Sequence, residues 1–357
     1  MTDRSATIGP ELFGSCPLPS SRYDRIMLGH GSGGRLTADL IQRVFVPGFG
    51  NEVLAALEDQ ATLRLDNAQG NGTTAPRIAF TTDSFVVRPL FFPGGDIGSL
   101  AVNGTVNDLA VSGARPLALS AGLVIEEGFP VADLRRIAAS LARAAATAGV
   151  AVAAGDTKVV ERGSADGVFV NTSGVGVVAP RVQLGPERVQ PGDRVLVSGP
   201  IGDHGIAVLA ARGDLKLELD LVSDCASVLR PAQRLLALGD AVRVMRDPTR
   251  GGLATTLNEL ATGVSIVLDE QALPVRPAVQ GACEILGLDP LYIANEGKIV
   301  AIVAPEVADA ARAALGRRAV VIGEVRAHDP GLVLLDTAVG GTRVVDMLVG
   351  DPLPRIC

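Results

Sequence analysis

The sequence predicts an α/β protein of the α+β type, with two mixed domains followed by a C-terminal tail. Three observations lead to this prediction. The 357 residues exceed the usual size of a single domain. Both halves of the chain mix apolar runs of strand length with segments of helical periodicity. The 42 glycines and 22 prolines follow no regular period, which indicates many turns.

The first domain is assigned to residues 23–185, after an arm over residues 1–22 that is rich in Ser and Pro. A short apolar run and a glycine loop open it, followed by a helix that is expected to end before Pro47. The predicted elements that follow are a strand at Ile78–Phe80, a helix at Ile97–Ser112, strands at Leu117–Ile125 and Val150–Ala154 on either side of a helix at Pro130–Ala148, and a strand at Gly167–Val178. Gly149 is a suitable residue to end the long helix.

The second domain is assigned to residues 186–336 and begins in a turn-rich linker. Its predicted elements are strands at Arg194–Ser198, Val264–Leu268 and Ile299–Val303, helices at His204–Ala211, Cys225–Leu238, Leu253–Thr262, Pro277–Leu286 and Val307–Leu315, and strands near Val320 and Val333. Residues 337–357 are predicted to form a mobile tail.

The composition excludes several classes of protein. Lys and Arg number 32 against 39 Asp and Glu, a net charge of −7, whereas nucleic acid or an anionic membrane would require a basic face. The chain contains neither an apolar leader nor an uncharged run long enough to span a membrane, so we expect a cytoplasmic protein. The four cysteines are too few and too scattered for a disulfide framework or a metal site: Cys16, Cys225, Cys283 and Cys357.

The glycine loop Gly29–Gly34 has the spacing G-x-G-x-x-G, which alone is a weak signal for a dinucleotide. A dinucleotide-binding fold also requires an acidic residue about 20 positions later, at the end of a second strand. Glu52 has that spacing but follows a Pro-Gly turn. A mobile loop that covers phosphate is the favoured interpretation, and a structural turn is the alternative. No P-loop string occurs, so any ATP is held in another way.

Acidic residues lie near the predicted ends of elements. Asp83 and Asp156 follow strands, and Asp108 lies in the segment Asn107–Leu109. Carboxylates at such positions suit Mg²⁺ bound to polyphosphate, because the ion prefers oxygen ligands. Each of them alone could equally be a cap or a turn residue.

Other charged residues occupy glycine-containing loops. Asp247 and Arg250 belong to an Asp-Pro-Thr-Arg-Gly-Gly motif, in which the arginine could bind phosphate. Lys158 follows a predicted strand end and Glu296 precedes a predicted strand, although most such charges are simply solvated. These residues are candidates for the chemistry.

The terminal residue Cys357 is the most informative feature of the sequence. An exposed thiol at a free terminus is a liability unless it has a function. Pro352 and Pro354 stiffen the segment before it, and Arg355 favours its thiolate form. This combination predicts a swinging carrier arm that brings the thiol into a cleft.

Together these motifs resemble the HypE family of hydrogenase maturation proteins, in the superfamily of aminoimidazole ribonucleotide synthetase. The resemblance runs from Ile26 to Cys357 and leaves residues 1–22 out. It rests on His30–Gly34, Thr82–Ser84, Asn107–Ala114, Gly155–Lys158, Asp247–Gly252, Asn295–Gly297 and Pro354–Cys357.

The resemblance implies a homodimer that pairs the sheets of its N-terminal domains, with ATP and Mg²⁺ as cofactors. It implies that the carbamoyltransferase HypF places a carbamoyl group on Cys357 and that ATP phosphorylates the amide oxygen. Loss of phosphate and of the remaining amide proton then leaves a thiocyanate. Its cyano group passes to iron on the HypC–HypD complex, for the [NiFe] hydrogenase.

On this hypothesis the protein is an ATP-dependent carbamoyl-cysteine dehydratase. Lys158 polarises the carboxamide or phosphate and Glu296 accepts a proton, and these two roles are interchangeable. Asp83, Asp108 and Asp156 are the expected metal ligands. The expected nucleotide-binding residues are His30, Gly31, Ser32, Gly33, Gly34, Asp83, Asn107, Asp108, Asp156, Thr157, Asp247 and Arg250.

Three alternatives remain open on the sequence. The first is another ATP-dependent activity of the same superfamily, although selenophosphate synthesis is disfavoured because the glycine loop has no cysteine. The second is an NAD-dependent dehydrogenase. The third is a non-catalytic maturation scaffold, against which the set of Asp, Lys and Glu residues argues.

Overall fold

The computed structural model describes residues 25–31, 34–49, 51, 53, 60–64, 77–213, 219–350, 353, 356 and 357. The predicted arm over residues 1–22, the loop residues Ser32 and Gly33, and Arg355 lie outside these ranges. Within them, no helix has both the length and the apolar character needed to cross a membrane.

The N-terminal half is built on a five-stranded sheet. Its elements are a 3-10 turn at Leu28–Gly31, α1 (Arg35–Leu40), a π-helical turn at Ile41–Phe45, α2 (Val46–Phe49), β1 (Ala61–Arg64), β2 (Arg77–Phe85), β3 (Phe91–Phe92), β4 (Gly95–Asp96), α3 (Ile97–Val111), β5 (Ala114–Glu126), α4 (Val131–Ala148), β6 (Ala151–Val160) and β7 (Val168–Val178). The order in the sheet is β1-β2-β7-β5-β6, with β5 and β6 parallel and the other neighbours antiparallel.

Helix α3 belongs to the N-terminal half and packs against both halves of the molecule. It begins with a capping box, in which the Asp96 carboxylate accepts hydrogen bonds from the Gly98 and Ser99 amides. One side of the helix packs on the sheet, and at its C-terminal end Ala110 and Val111 enter the apolar core of the second half. Residues in the last turn of α3 therefore lie at the junction of the two halves.

The C-terminal half contains a seven-stranded mixed sheet. Its elements are β8 (Arg194–Val197), α5 (Asp203–Ala211), α6 (Leu229–Leu236), β9 (Val242–Arg246), α7 (Gly252–Leu260), β10 (Ser265–Asp269), α8 (Pro277–Leu286), β11 (Val300–Val303), α9 (Ala308–Leu315), β12 (Val320–Arg326), β13 (Val333–Asp336) and β14 (Thr342–Val344). The order is β14-β13-β10-β12-β8-β11-β9, with β10 and β13 parallel. Short 3-10 turns lie at Pro186–Arg188, Gly239–Ala241, Glu270–Ala272, Pro290–Tyr292 and Pro305–Val307.

The predicted mixed α/β class is confirmed, and several helices lie where the sequence places them. Helix α8 has the predicted bounds, with Pro277 at its first position. Helix α4 ends at Gly149, which has φ +69°. The domain bounds 23–185 and 186–336 stay predictions.

The predicted ends of two strands were wrong. Strand β2 continues through Asp83, because its polar residues pair with β7 and Ser173 donates a hydrogen bond to Thr82. Strand β6 continues through Asp156 and Lys158, because β5 pairs with it along this length. These three residues therefore lie within strands and not in the loops after them.

Two predicted helices also differ from the structure. Helix α6 begins at Leu229 instead of Cys225, because the amide of Val228 donates to the side chain of Asn107 on α3. The helix expected to end before Pro47 continues as α2 to Phe49. Among the described strands, β1, β3, β4, β9 and β14 were not predicted.

The C-terminal segment packs against the body of the protein. Strand β14 pairs antiparallel with β13, and Val345 is buried. Leu353 and Ile356 are buried in an apolar cluster that includes Ile206. Cys357 packs against the same cluster. The mobility of the tail stays a prediction.

Candidate active site

The site forms around the loop that carries Glu296, between a 3-10 turn and β11. Asn295 fixes this loop: its side-chain amide donates to the Pro248 carbonyl at 2.9 Å, and its side-chain oxygen accepts from the Gly202 amide at 2.8 Å. The amide of Glu296 donates to the Asp224 carboxylate at 3.1 Å. Three neighbouring segments therefore hold the position of Glu296.

Glu296 is only 2% exposed. Burial raises the pKa of its carboxyl group well above the ordinary value. The charges of Asp224 and Asp247 raise this pKa further, while a hydrogen bond with the side chain of Cys357 and the charge of Arg250 lower it. The terminal thiol thus contacts a buried carboxyl group. The ammonium group of Lys298 donates a hydrogen bond to the second oxygen of the Asp224 carboxylate at 2.7 Å and forms an ion pair with it.

Arg250 faces the same region from the Asp247–Gly252 loop. Its pKa is raised first by the electrostatic interaction with Cys357, and then by those with Asp83, Glu296 and Asp108. Its guanidinium group also donates to the Gly31 carbonyl at 3.3 Å. Acidic groups from both halves of the chain therefore converge on one cation.

The glycines of the Asp-Pro-Thr-Arg-Gly-Gly motif allow this arrangement. Gly252 has φ +61°, and a Cβ atom there would lie 2.6 Å from the Leu291 carbonyl oxygen and 2.7 Å from that of Ile293. A side chain at this position would push the Arg250 loop away from the loop that carries Glu296. The motif thus sets the distance between these two loops.

Helix α3 contributes two of the predicted residues. Asp108 accepts a hydrogen bond from Thr81 at 2.7 Å. Asn107 donates to the Ala226 and Glu296 carbonyl groups and accepts from the amide of Val228. Asn107 therefore braces the loops of the site, and its contact with nucleotide stays a prediction.

Gly34 and the first residues of α1 lie against the C-terminal segment. The amides of Arg35 and Leu36 donate to the carbonyl groups of Leu348 and Val349. A Cβ atom on Gly34 would lie 2.5 Å from the Leu348 oxygen, and His30 is buried and accepts from the Met27 amide at 3.0 Å. The described residues on either side of the loop therefore lie near both Arg250, through Gly31, and the tail, through Gly34.

Asp156, Thr157 and Lys158 are not brought into this cluster. They lie on the exposed edge strand β6, where the ammonium group of Lys158 is 3.5 Å from the Asp156 carboxylate and both side chains are 72% exposed. In the sheet register Asp156 is opposite Gly122, whereas Asp83 is opposite Thr172, whose hydroxyl group bonds to α3. The side chains of Asp156 and Asp83 therefore lie on opposite faces of the sheet.

The three predicted metal ligands do not form one cluster. Within the described ranges, no three His, Cys, Asp or Glu side chains lie close enough together to hold a metal ion. Asp83 and Asp108 share the face of the sheet that α3 covers, and only Asp156 is separated from them. The sequence did not reveal Asp224, because Ser223–Asp224 before an apolar run is also typical of a helix cap.

Comparisons with known proteins find similarity along most of the chain. Family models described as AIR synthase related protein match residues 57–178, for the N-terminal domain, and residues 190–334, for the C-terminal domain. The chain is 52% identical over 340 residues to "Carbamoyl dehydratase HypE" of Cupriavidus necator, which covers 93% of this chain and 95% of that protein.

Two solved structures are also similar. A crystal structure of a HypE–HypF complex has a TM-score of 0.79 and 48% identity, over 87% of this chain and 99% of the other. A crystal structure of hydrogenase maturation protein HypE in complex with ATP has a TM-score of 0.75 and 46% identity, over 93% of this chain and 100% of the other.

Proposed function

The chain belongs to the HypE family of carbamoyl dehydratases, within the AIR synthase related proteins, and on this premise we propose that it forms a thiocyanate on its own C-terminal cysteine. The substrate is the S-carboxamide of Cys357, and ATP drives its dehydration. The product is the source of the cyanide ligand in [NiFe] hydrogenase maturation.

The observation that carries this proposal is the contact between the side chain of Cys357 and the buried carboxyl group of Glu296. A carboxamide on this sulfur would place its oxygen and nitrogen within the same acidic cluster. A buried carboxylate with a raised pKa has a high affinity for a proton, which suits it to take one from the amide nitrogen. The terminal cysteine thus has a reaction partner as well as a binding place.

The reaction requires two proton losses and one phosphoryl transfer. The amide oxygen attacks the γ-phosphorus of ATP, ADP leaves, and the nitrogen loses its first proton. The C–O bond to phosphate then breaks as the nitrogen loses its second proton, which forms the C≡N bond. Glu296 is the proposed proton acceptor, and Arg250 offsets the phosphate charge.

Asp83 and Asp108 are the carboxylates that suit Mg²⁺, because both share the α3 face of the sheet and both lie within the field of Arg250. When bound, the ion would neutralise phosphate charge. The loop from His30 to Gly34 is the proposed cover for the nucleotide. Gly31 supports this role, because its carbonyl group already accepts from Arg250.

We further propose that the protein forms a homodimer through the outer face of the N-terminal sheet. Phe80 and Val124 are exposed there at 43% and 36%, and β6 is an exposed edge. Asp156 and Lys158 belong to this face. A contribution of Lys158 to the chemistry therefore depends on how two chains pair.

The proposed partners follow from the chemistry and from the relatives. HypF, which forms a complex with a relative of this chain, would supply the carbamoyl group. The HypC–HypD complex would accept the cyano group. Because the reaction consumes ATP, the cytoplasm is the proposed location.

Mass spectrometry of the C-terminal peptide tests this function. The full chain is incubated with ATP, carbamoyl phosphate and the carbamoyltransferase, and the carbamoyl adduct on Cys357 should lose the mass of one water. The Cys357→Ala variant should bind ATP with unchanged affinity and show neither mass. A stable adduct that never loses water would refute the proposed dehydration, and bound nicotinamide would favour the dehydrogenase alternative.

A further inference from the structure

His204 is a completely buried histidine with both ring nitrogens engaged. It lies in the first turn of α5, with its Nδ1 atom 2.8 Å from the Ser223 hydroxyl and its Nε2 atom 3.0 Å from the carbonyl oxygen of Ile356. The ring of Phe92 packs edge to face against it at 5.5 Å. Ile356 is the residue directly before the terminal cysteine.

The hydrogen bonds specify one tautomer of this ring. A carbonyl oxygen can only accept, so Nε2 carries the proton that is donated to Ile356. Burial lowers the pKa of His204 and so favours the neutral ring, in which Nδ1 accepts from the Ser223 hydroxyl. The oxygen of Ser223 accepts in turn from the amide of Cys225 at 3.0 Å. This chain of donors aims the histidine at the backbone of the tail.

The position of this hydrogen bond suits a tail whose terminal sulfur carries different substituents during the reaction. The donor of His204 meets a backbone carbonyl group, so it is independent of what the sulfur of Cys357 carries. The side chain of Ile356 is 3% exposed and packs in the apolar cluster around Ile206. One directional polar contact and one apolar anchor thus fix the residue that precedes the reacting sulfur.

We propose that His204 is a positioning residue that docks the C-terminal tail and aligns the sulfur substituent of Cys357 with Glu296. Ser223 orients its ring. This inference rests on the proposed function, because Glu296 is taken as the proton acceptor. His204 itself contacts neither the carboxamide nor ATP.

The test compares His204→Phe, which removes both bonds but keeps a ring, with His204→Gln, whose amide can still donate near the position of Nε2. The exposed His328→Phe variant is the matched control. The first measurement is the rate at which iodoacetamide alkylates Cys357 in the full chain, read on the peptide 351–357. The second is single-turnover dehydration of the carbamoylated tail at saturating ATP.

His204→Phe should raise the alkylation rate about tenfold and lower the dehydration rate by a similar factor, as expected for a lost buried hydrogen bond. His204→Gln should restore most of both rates, and His328→Phe should change neither. The affinity for ATP should stay the same in all three variants.

Unchanged alkylation in His204→Phe would overturn the inference, and so would equal losses in the Phe and Gln variants. Ser223→Ala removes the group that orients the ring and should also accelerate alkylation. It provides the same test if His204→Phe does not fold. Alkylation does not depend on thiocyanate formation. Faster alkylation in His204→Phe together with no dehydration by the unmutated protein would therefore refute the proposed function and leave the docking role intact.

Discussion

Replacing Glu296 with Gln tests the centre of the proposed chemistry. The variant keeps the size of the side chain but removes the carboxylate that would accept the amide proton. Loss of a general base typically lowers a rate by about 10²–10⁴-fold. We expect a loss of this size in the single-turnover rate of dehydration, while carbamoylation of Cys357 and the affinity for ATP stay close to those of the unmutated chain.

The pKa of Glu296 adds a second expectation. Its folded-state pKa is raised by burial, so the folded protein holds this proton more tightly than the unfolded chain does. The stabilising contribution is complete below the unfolded value of about 4.3 and is lost as the pH rises through the raised folded value. Glu296→Gln should therefore gain stability relative to the unmutated protein across that pH window.

The assay follows the mass of the C-terminal peptide in rapid-quench samples, and urea unfolding at several pH values measures stability. The exposed Glu306→Gln variant is the control and should change neither quantity. In the unmutated protein, the dehydration rate should fall as the pH drops below the raised pKa, because the base must be ionised to act. A dehydration rate in Glu296→Gln equal to that of the unmutated protein would refute the assignment.

Three further variants probe the surrounding structure. Arg250→Ala should weaken ATP binding at least tenfold in calorimetry, because it removes the cation that faces Asp83 and Asp108. The exposed Arg230→Ala variant is the control and should bind ATP normally. Equal affinities in the two variants would contradict the phosphate role of Arg250. Gly252→Ala should cost about 1–3 kcal/mol of unfolding free energy in urea, since φ is +61° and the Leu291 carbonyl lies in the way. Gly281→Ala should be tolerated, because a Cβ atom there would meet nothing within 4 Å. An unchanged unfolding free energy in Gly252→Ala would show that the loop relaxes. Phe80→Glu should convert dimer to monomer in sedimentation velocity, with the exposed Val339→Glu as control, and a stable dimer would place the interface elsewhere.

The sequence predicted helices best where the local chemistry decides the structure. Helix α8 begins at Pro277 and is followed by Gly287 in the left-handed conformation, and both signals are local. Strand ends were predicted less well. Asp83 and Asp156 look like turn residues, but pairing with neighbouring strands keeps them in the sheet.

The candidate site shows the same division. Glu296, Arg250 and Cys357 were identified as candidates because each belongs to a motif, and the structure brings them together. Asp224 and Asn295 act through contacts with segments that are distant in sequence. Asn295 belongs to a recognised motif, but its bracing contacts could not be read from that motif, and no local pattern distinguishes Asp224 from a helix cap. The face on which Lys158 lies depends on the register between β5 and β6, which spacing alone does not determine.

Strand β14 limits how far the terminal thiol can travel. A tail that moved freely from residue 337 would reach about 65 Å when extended, whereas in this structure β14 is paired with β13 and the amide of Leu36 donates to the Val349 carbonyl group. While these contacts last, only the residues after 349 can swing. The 8 residues 350–357 span about 26 Å at most, at roughly 3.3 Å per residue. On the proposed function, a carbamoyltransferase that meets the tail in this state would have to bring its own active site within that distance of residue 350. Its docking geometry, more than the length of the tail, would then determine whether the carbamoyl group is delivered.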